Sequence, residues 1–187
     1  MNETLLFLKE FIKNPSQVSS IVPSSRFLEQ RIVKLAEMRS AKTVVELGAG
    51  VGGTTQAFLD AMPPEAKLLS IEINPKFCSS LQRIRDPRLI VHCGGAQDLQ
   101  KTLALYGLPA PEAVVSGIPF SKIEPAIGSS IIKAVVSALS VGGRFVAYQV
   151  SGRVAELARP LLGPGRFGLE WLNIPPLRVY QWEKAAA

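Results

Sequence analysis

The segment Thr43-Val44-Val45-Glu46-Leu47-Gly48-Ala49-Gly50-Val51-Gly52-Gly53 constrains this chain more than any other. A β-branched apolar run breaks into glycines and passes at once into Thr54-Thr55-Gln56-Ala57-Phe58-Leu59, a pattern of strand, tight turn and helix. Without Cβ atoms the glycines let the backbone take positive φ and come close to a bound group. The unpaired N–H groups of the following helix face the same space. A turn of this kind is suited to a nucleotide-like ligand, and a ligand-free glycine turn is the plainer alternative.

Gly48, Gly50 and Gly53 also satisfy the G-x-G-x-x-G spacing of dinucleotide binders, so the glycines alone do not identify the ligand. Glu46 separates the cases. A carboxylate at the end of an otherwise apolar strand would repel a pyrophosphate but favour a ligand that carries an ammonium and a sulfonium. The stretch E-L-G-A-G-V-G resembles the first motif of class I S-adenosylmethionine (SAM)-dependent methyltransferases. That resemblance implies an α/β fold with a Rossmann-like, doubly wound seven-stranded sheet, an antiparallel last strand and N-terminal helices.

The periodicity beyond the turn agrees with an open α/β sheet. Strands are expected at Lys67 to Glu72, about Arg88 to His92, Ala113 to Ser116 and Arg144 to Gln149. Helices are expected after Asn74-Pro75, over Glu124 to Leu139 and over Val154 to Leu162, with Phe167 to Trp171 and Leu177 to Glu183 as a closing pair of strands. Ahead of the turn, Met1 to Asn14 reads as an amphipathic helix with Leu5, Phe7, Leu8, Phe11 and Ile12 on one face. It either packs on the domain or lies in a bilayer interface, where apolar side chains bury and lysines meet anionic lipid. Ser24-Ser25 offers an N-cap for a second helix, Arg26 to about Arg39, whose far side carries Arg31, Lys34 and Arg39. Residues 1–40 thus form a helical segment ahead of a binding domain at 41–187, together one compact domain.

At 187 residues, 47% hydrophobic and 19% charged, the chain can bury a core without staples. No apolar run is long enough to span a bilayer, and Glu3 with no cleavage site argues against a signal peptide, so the expected location is cytoplasmic, peripheral on the inner membrane face if it docks there. Cys78 and Cys93 sit in no Cys/His ligand cluster, so no metal is expected, and the lone His92 reads as structural. The net charge of +6 favours an anionic partner, a membrane surface or nucleic acid.

In open α/β sheets the ligand lies beyond the carboxyl ends of the strands, and each strand end carries a candidate. Glu72 is placed to accept hydrogen bonds from ribose hydroxyls. Cys93-Gly94-Gly95-Ala96-Gln97-Asp98 would meet the adenine. Ser116-Gly117-Ile118-Pro119 would face the transferable methyl, where backbone carbonyls and the Ser116 hydroxyl could hold an amine lone pair in line. Phe120 could offer its ring face to a developing ammonium, or simply be a buried aromatic.

Together with Ile21-Val22-Pro23-Ser24-Ser25-Arg26 and Asn173-Ile174-Pro175-Pro176-Leu177-Arg178-Val179-Tyr180, these segments are similar to bacterial phospholipid N-methyltransferases. Those enzymes are relatives of the rRNA adenine dimethyltransferases. The resemblance implies methylation of phosphatidylethanolamine at an anionic membrane surface, with RNA or a small amine as alternative substrates and an inactive membrane-binding module as a further one. It implies a SAM site at Ser24, Ser25, Glu46, Gly48, Ala49, Gly50, Gly52, Glu72, Ile73, Gly95, Ala96, Gln97 and Ser116, a catalytic loop at Ser116, Gly117, Ile118 and Pro119, and substrate contacts at Phe120 and Tyr180. The chain departs from the family at Gly95, where an acid usually accepts from the adenine amino group; the backbone there and Gln97 remain as readers of that edge.

Overall fold

The computed structural model describes residues 24–186. The expected opening helix and the Ile21-Val22-Pro23 segment lie outside the described residues. The element order is α1 (Arg26–Leu35), β1 (Thr43–Leu47), α2 (Gly53–Ala61), β2 (Lys67–Glu72), α3 (Pro75–Leu81), β3 (Leu89–Cys93), α4 (Leu99–Leu105), β4 (Ala113–Ser116), α5 (Pro125–Ala138), β5 (Arg144–Gln149), α6 (Arg153–Leu162), β6 (Arg166–Glu170) and β7 (Leu177–Glu183). The strands form one seven-stranded sheet in the order β3-β2-β1-β4-β5-β7-β6. Strands β3, β2, β1, β4 and β5 are mutually parallel, while β7 runs antiparallel to both β5 and β6. This is the expected doubly wound sheet.

Strand alternation divides the core between the two faces. Val45, Leu47, Leu69, Ile71, Val114, Phe145 and Ala147 face α4, α5 and α6. Val44, Leu68, Val115 and Val146 face α1 and α2, where they meet Leu28, Ile32, Phe58 and Leu59. All five residues of β1 are buried, as a central parallel strand covered on both faces requires. Helix α1 therefore shares the core of the sheet.

Local chemistry fixes the helix ends. Ser25 caps α1 by accepting the Leu28 N–H, and Glu29 in the first turn with Lys34 in the last complements the helix dipole. The helix ends at Leu35, four residues short of the expected Arg39, because Glu37 takes φ 49° and turns the chain. Asn74 caps α3 with Pro75 following, and Pro125 opens α5. Helix α2 follows Gly52 at φ 95° with no side-chain cap, which leaves the donors of its first turn for other partners.

The candidate active site at the carboxyl ends of the strands

The turn after β1 is held open by backbone conformations that side chains resist. Gly48 and Gly50 take φ of 76° and 58°, and a Cβ on Gly48 would come within 3.0 Å of Ile118 Cγ1 in the loop after β4. The two loops therefore touch, and what binds at one lies beside the other. Among the described residues a Cβ on Gly50 would meet nothing within 4 Å.

Glu72, at the end of β2, is 7% exposed. Its Oε2 accepts the Gly50 N–H at 2.9 Å and its Oε1 accepts the Asn74 N–H at 2.8 Å. One carboxylate thus ties the glycine turn to the β2–α3 turn. A carboxylate has about four lone-pair sites, so acceptor capacity is left for two further hydroxyls. That fits a ribose.

Glu46 departs from the sequence reading. It is 0% exposed, and its carboxylate accepts from Thr54 Oγ1 at 2.7 Å, Thr55 Oγ1 at 2.6 Å and Ser70 Oγ at 2.8 Å. Strand alternation sends it toward α2, beneath the turn, and a direct contact with a ligand would require a hydroxyl to give way. Burial raises its pKa above the ordinary carboxylate range, against the three hydroxyl bonds that favour the charged form. Tyr148 of β5 stands beside it, 3.5 Å from Thr54 Oγ1, with its pKa raised by burial and by the Glu46 charge. Sequence pattern singles out none of Thr54, Thr55, Ser70 and Tyr148; the usable signal is the register, which sets Glu46 opposite Ser70.

After β3 the chain passes through Gly95, Ala96 and Gln97 into a short 3-10 turn, Ala96–Asp98. Ala96 is buried. A Cβ on Gly95 would lie only 2.3 Å from Gln97 Nε2 and 2.6 Å from Oε1. The Gln97 carboxamide therefore fills the space that a side chain at position 95 would take. An amide both donates and accepts, so it fits the edge of an adenine.

In the loop after β4, Ser116 is 0% exposed and its Oγ accepts the Ile118 N–H at 3.2 Å, so the hydroxyl braces the loop from within. The Ile118 and Pro119 carbonyls accept the Phe120 and Lys122 N–H groups at 2.9 and 2.8 Å and keep one lone pair each. Gly117 lies against Tyr148, whose Oη would be 2.7 Å from a Cβ at that position. Phe120 is 1% exposed, packed in the core on the α5 and α6 side, so its ring is not presented to a substrate. Tyr180 is likewise a core residue, stacked on Trp182 with centroids 5.7 Å apart. Ser25 serves as the α1 cap, Ser24 beside it and Ile73 after β2 are half-buried, and Ala49 and Gly52 are buried in the glycine turn. Arg31, on the basic far side of α1, donates to the Leu169 carbonyl at 2.6 Å and pairs with Glu170.

His92 packs edge-on against Tyr106, with its Nδ1 3.4 Å from the Tyr106 hydroxyl. Among the described residues no cluster of His, Cys, Asp and Glu is grouped to hold a metal ion. The arrangement provides a carboxylate suited to a ribose, an amide suited to a base edge, a helix start at a glycine turn with no side-chain cap among the described residues, and a carbonyl-rich loop in contact with that turn.

Over residues 10–98 the sequence matches the Ribosomal RNA adenine dimethylase family. It is 28% identical over 183 residues to Ornithine lipid N-methyltransferase of Singulisphaera acidiphila, covering 96% of this chain and 95% of that protein. Ribosomal RNA small subunit methyltransferase A of Maricaulis maris is 32% identical over 97 residues, but the match spans 50% of this chain and only 32% of that enzyme. Among solved structures, the fold is shared with Burkholderia thailandensis 1,6-didemethyltoxoflavin-N1-methyltransferase bound to S-adenosylhomocysteine, at a TM-score of 0.72 and 15% identity over 98% of this chain and 90% of the other.

Proposed function

We propose that this chain, a class I SAM-dependent methyltransferase, transfers a methyl group to the amine of a membrane lipid, phosphatidylethanolamine or its partly methylated forms. The observation that carries the reading is the span of the similarity. The lipid N-methyltransferase is matched from end to end, whereas the rRNA enzyme is matched over a third of its length. The shared part with the rRNA enzymes is the cofactor half, which the chemistry of both requires.

When bound, SAM would supply a sulfonium-activated methyl carbon, which an amine lone pair can attack as the C–S bond breaks and S-adenosylhomocysteine leaves. In the proposed site Glu72 would accept from the ribose, the N–H groups after Gly50 would hold the amino-acid tail, and Gln97 would read the adenine. The spare carbonyl lone pairs of Ile118 and Pro119 accept the N–H groups of the incoming amine and so orient it. Orientation of this kind is worth up to about 10 kcal/mol of barrier. The loop from Ser116 to Pro119 contains no titratable side chain and so supplies no general base of its own; water or bulk base suffices to take the amine's proton before attack.

The test is incubation of the protein and SAM with vesicles containing phosphatidylethanolamine, ornithine lipid or neither, followed by mass analysis of the lipids. Stepwise methyl gain on phosphatidylethanolamine supports the proposal. Gain on ornithine lipid alone moves the substrate, and gain only on added RNA or a small amine overturns the lipid reading.

A further inference from the structure

We infer that the loop between β6 and β7 is a membrane-docking edge that seats the strand-end site on an anionic bilayer, an inference that rests on the lipid-amine reading. Trp171, Leu172 and Ile174 in this loop are 70%, 60% and 78% exposed. Bulky apolar side chains presented together to water mark an interaction surface.

The loop is built to present them. Asn173, between them in sequence, is 5% exposed; its Oδ1 accepts the Ser25 N–H at 2.9 Å and its Nδ2 donates to the Pro175 carbonyl at 2.9 Å. The Leu172 N–H donates to Glu170 Oε1 at 3.1 Å, and Glu170 is in turn paired with Arg31 of α1. The polar groups are fastened inward and the apolar ones point out. A loop arranged to cover its own tryptophan would have the opposite order.

Its position follows from the register. Gln149, the last residue of β5, pairs with Arg178 near the start of β7, and Glu170, the last residue of β6, pairs with Leu177. The loop therefore stands at the carboxyl end of the parallel strands, the end that carries the glycine turn and the Ser116–Pro119 loop. Val150, just after β5, is 56% exposed, and Phe27, next to the Ser25 tie, is 41% exposed. Exposed arginines accompany them: the Arg26 guanidinium lies 5.1 Å from the Phe27 ring centroid and that of Arg178 lies 5.6 Å from the Phe167 ring centroid. On a chain of net charge +6, this edge offers apolar anchors flanked by cations. That is the complement of an interface where hydrocarbon lies below anionic headgroups, and tryptophan favours that depth.

The chain has two tryptophans, and the other, Trp182, is buried, which makes the test spectroscopic. Vesicles of phosphatidylglycerol and phosphatidylcholine, free of any primary amine, are added to the full chain, and fluorescence, quenching by brominated lipid and co-sedimentation are read. Expected are a blue shift and bromolipid quenching that vanish in Trp171→Phe. A Trp171→Ser, Leu172→Ser, Ile174→Ser variant should partition about tenfold to a hundredfold more weakly, with melting temperature and S-adenosylhomocysteine affinity unchanged. Sedimentation without a change at Trp171, no sedimentation, or a blue shift that follows protein concentration instead of lipid would each overturn the inference. Docking through Trp171 with no methylated lipid would sink the lipid-amine reading alone. Lipid methylation at an undiminished rate by the serine variant would sink the docking edge alone.

Discussion

Glu72 holds Gly50: the carboxylate at the end of β2 accepts the N–H of the glycine turn at 2.9 Å while its other oxygen holds the N–H of Asn74. The residue proposed to accept from the ribose is thus also the residue that shapes the turn next to it. On that proposal, ligand recognition and turn geometry meet in one side chain.

Glu72→Ala should therefore lose cofactor affinity by about a hundredfold or more and also lower stability by about 1 to 3 kcal/mol, since two backbone donors lose their partner. Glu72→Gln keeps one acceptor oxygen and should bind roughly tenfold more weakly, with a smaller stability loss. Isothermal titration with S-adenosylhomocysteine and denaturant unfolding read the two effects separately. Unchanged affinity in the alanine variant would remove Glu72 from the site.

Glu46 predicts a pH dependence of stability. Its folded pKa is raised from an ordinary value of 4.5, burial being the main cause. A raised folded pKa means that the native state keeps the proton longer than the unfolded chain does. The contribution of the neutral carboxyl is then fully present below about pH 4.5 and is lost as pH rises through the raised value. Glu46→Gln has no such titration, so its stability relative to wild type should improve as pH increases from that point. Glu46→Ala leaves three hydroxyls without their acceptor and should cost about 2 to 4 kcal/mol at neutral pH. Denaturant midpoints compared across pH check both statements.

The fold was legible because the sequence is locally consistent: β-branched runs, caps and glycine turns each point to the same element. The geometry of the candidate site was legible where backbone is the device, as in the positive φ of Gly48 and Gly50, or where an acid ends a strand beside the turn, as at Glu72. Side-chain direction was harder. Glu46 and Phe120 stand in loop-flanking positions that suit a ligand contact equally well, and only the sheet faces decide. Alternation places Glu46 with Val44 on the α1–α2 face, and the turn after Pro119 folds Phe120 back into the core. The meaning of Gly95 was hidden because it depends on where the Gln97 side chain turns, which no local pattern specifies.

The two cysteines should differ sharply in reactivity. Burial, with the neighbouring Cys93 and the Glu72 charge adding to it, pushes the Cys78 thiol up to about 12, and its Sγ donates to the Glu72 carbonyl at 3.3 Å. Cys93 is exposed. Since the thiolate is the nucleophile, iodoacetamide at mildly alkaline pH should label Cys93 in the native protein and reach Cys78 only after denaturation. Peptide mass mapping reads the outcome, and native labelling of Cys78 would contradict the packing around it. As pH climbs above the ordinary thiol value of 9.0, the unfolded chain releases this proton first, so Cys78 also makes the fold less stable toward strong alkali.

Gly117 and Tyr148 should behave as a coupled pair. A Cβ at Gly117 would sit 2.7 Å from Tyr148 Oη and 3.0 Å from Cζ, and 3.3 Å from the Gly48 carbonyl. Gly117→Ala should therefore displace the loop, costing about 1 to 3 kcal/mol and lowering kcat more than cofactor affinity. Tyr148→Phe removes the closest clashing atom, so the double variant should recover part of both losses. A double-mutant cycle measures that coupling, and strictly additive effects would mean that the loop relaxes without Tyr148.

Gln97 decides whether the missing acid matters. Its carboxamide lies 2.3 Å from where a Cβ on Gly95 would be, so positions 95 and 97 compete for one space and glycine is required for glutamine to occupy it. Gln97→Ala should empty that space and weaken S-adenosylhomocysteine binding by about tenfold, the worth of one good hydrogen bond. Gly95→Asp on the wild-type background forces the glutamine out, whereas Gly95→Asp with Gln97→Ala gives an acid room to accept from the adenine amino group and should restore binding. A carboxylate only accepts, while a carboxamide can turn to donate. Replacing adenine by hypoxanthine in the cofactor should therefore cost the glutamine enzyme little and the aspartate double variant about tenfold or more. Titration calorimetry with both cofactors across the variants reads this directly; equal affinities in wild type and Gln97→Ala would show that the backbone alone recognises the base.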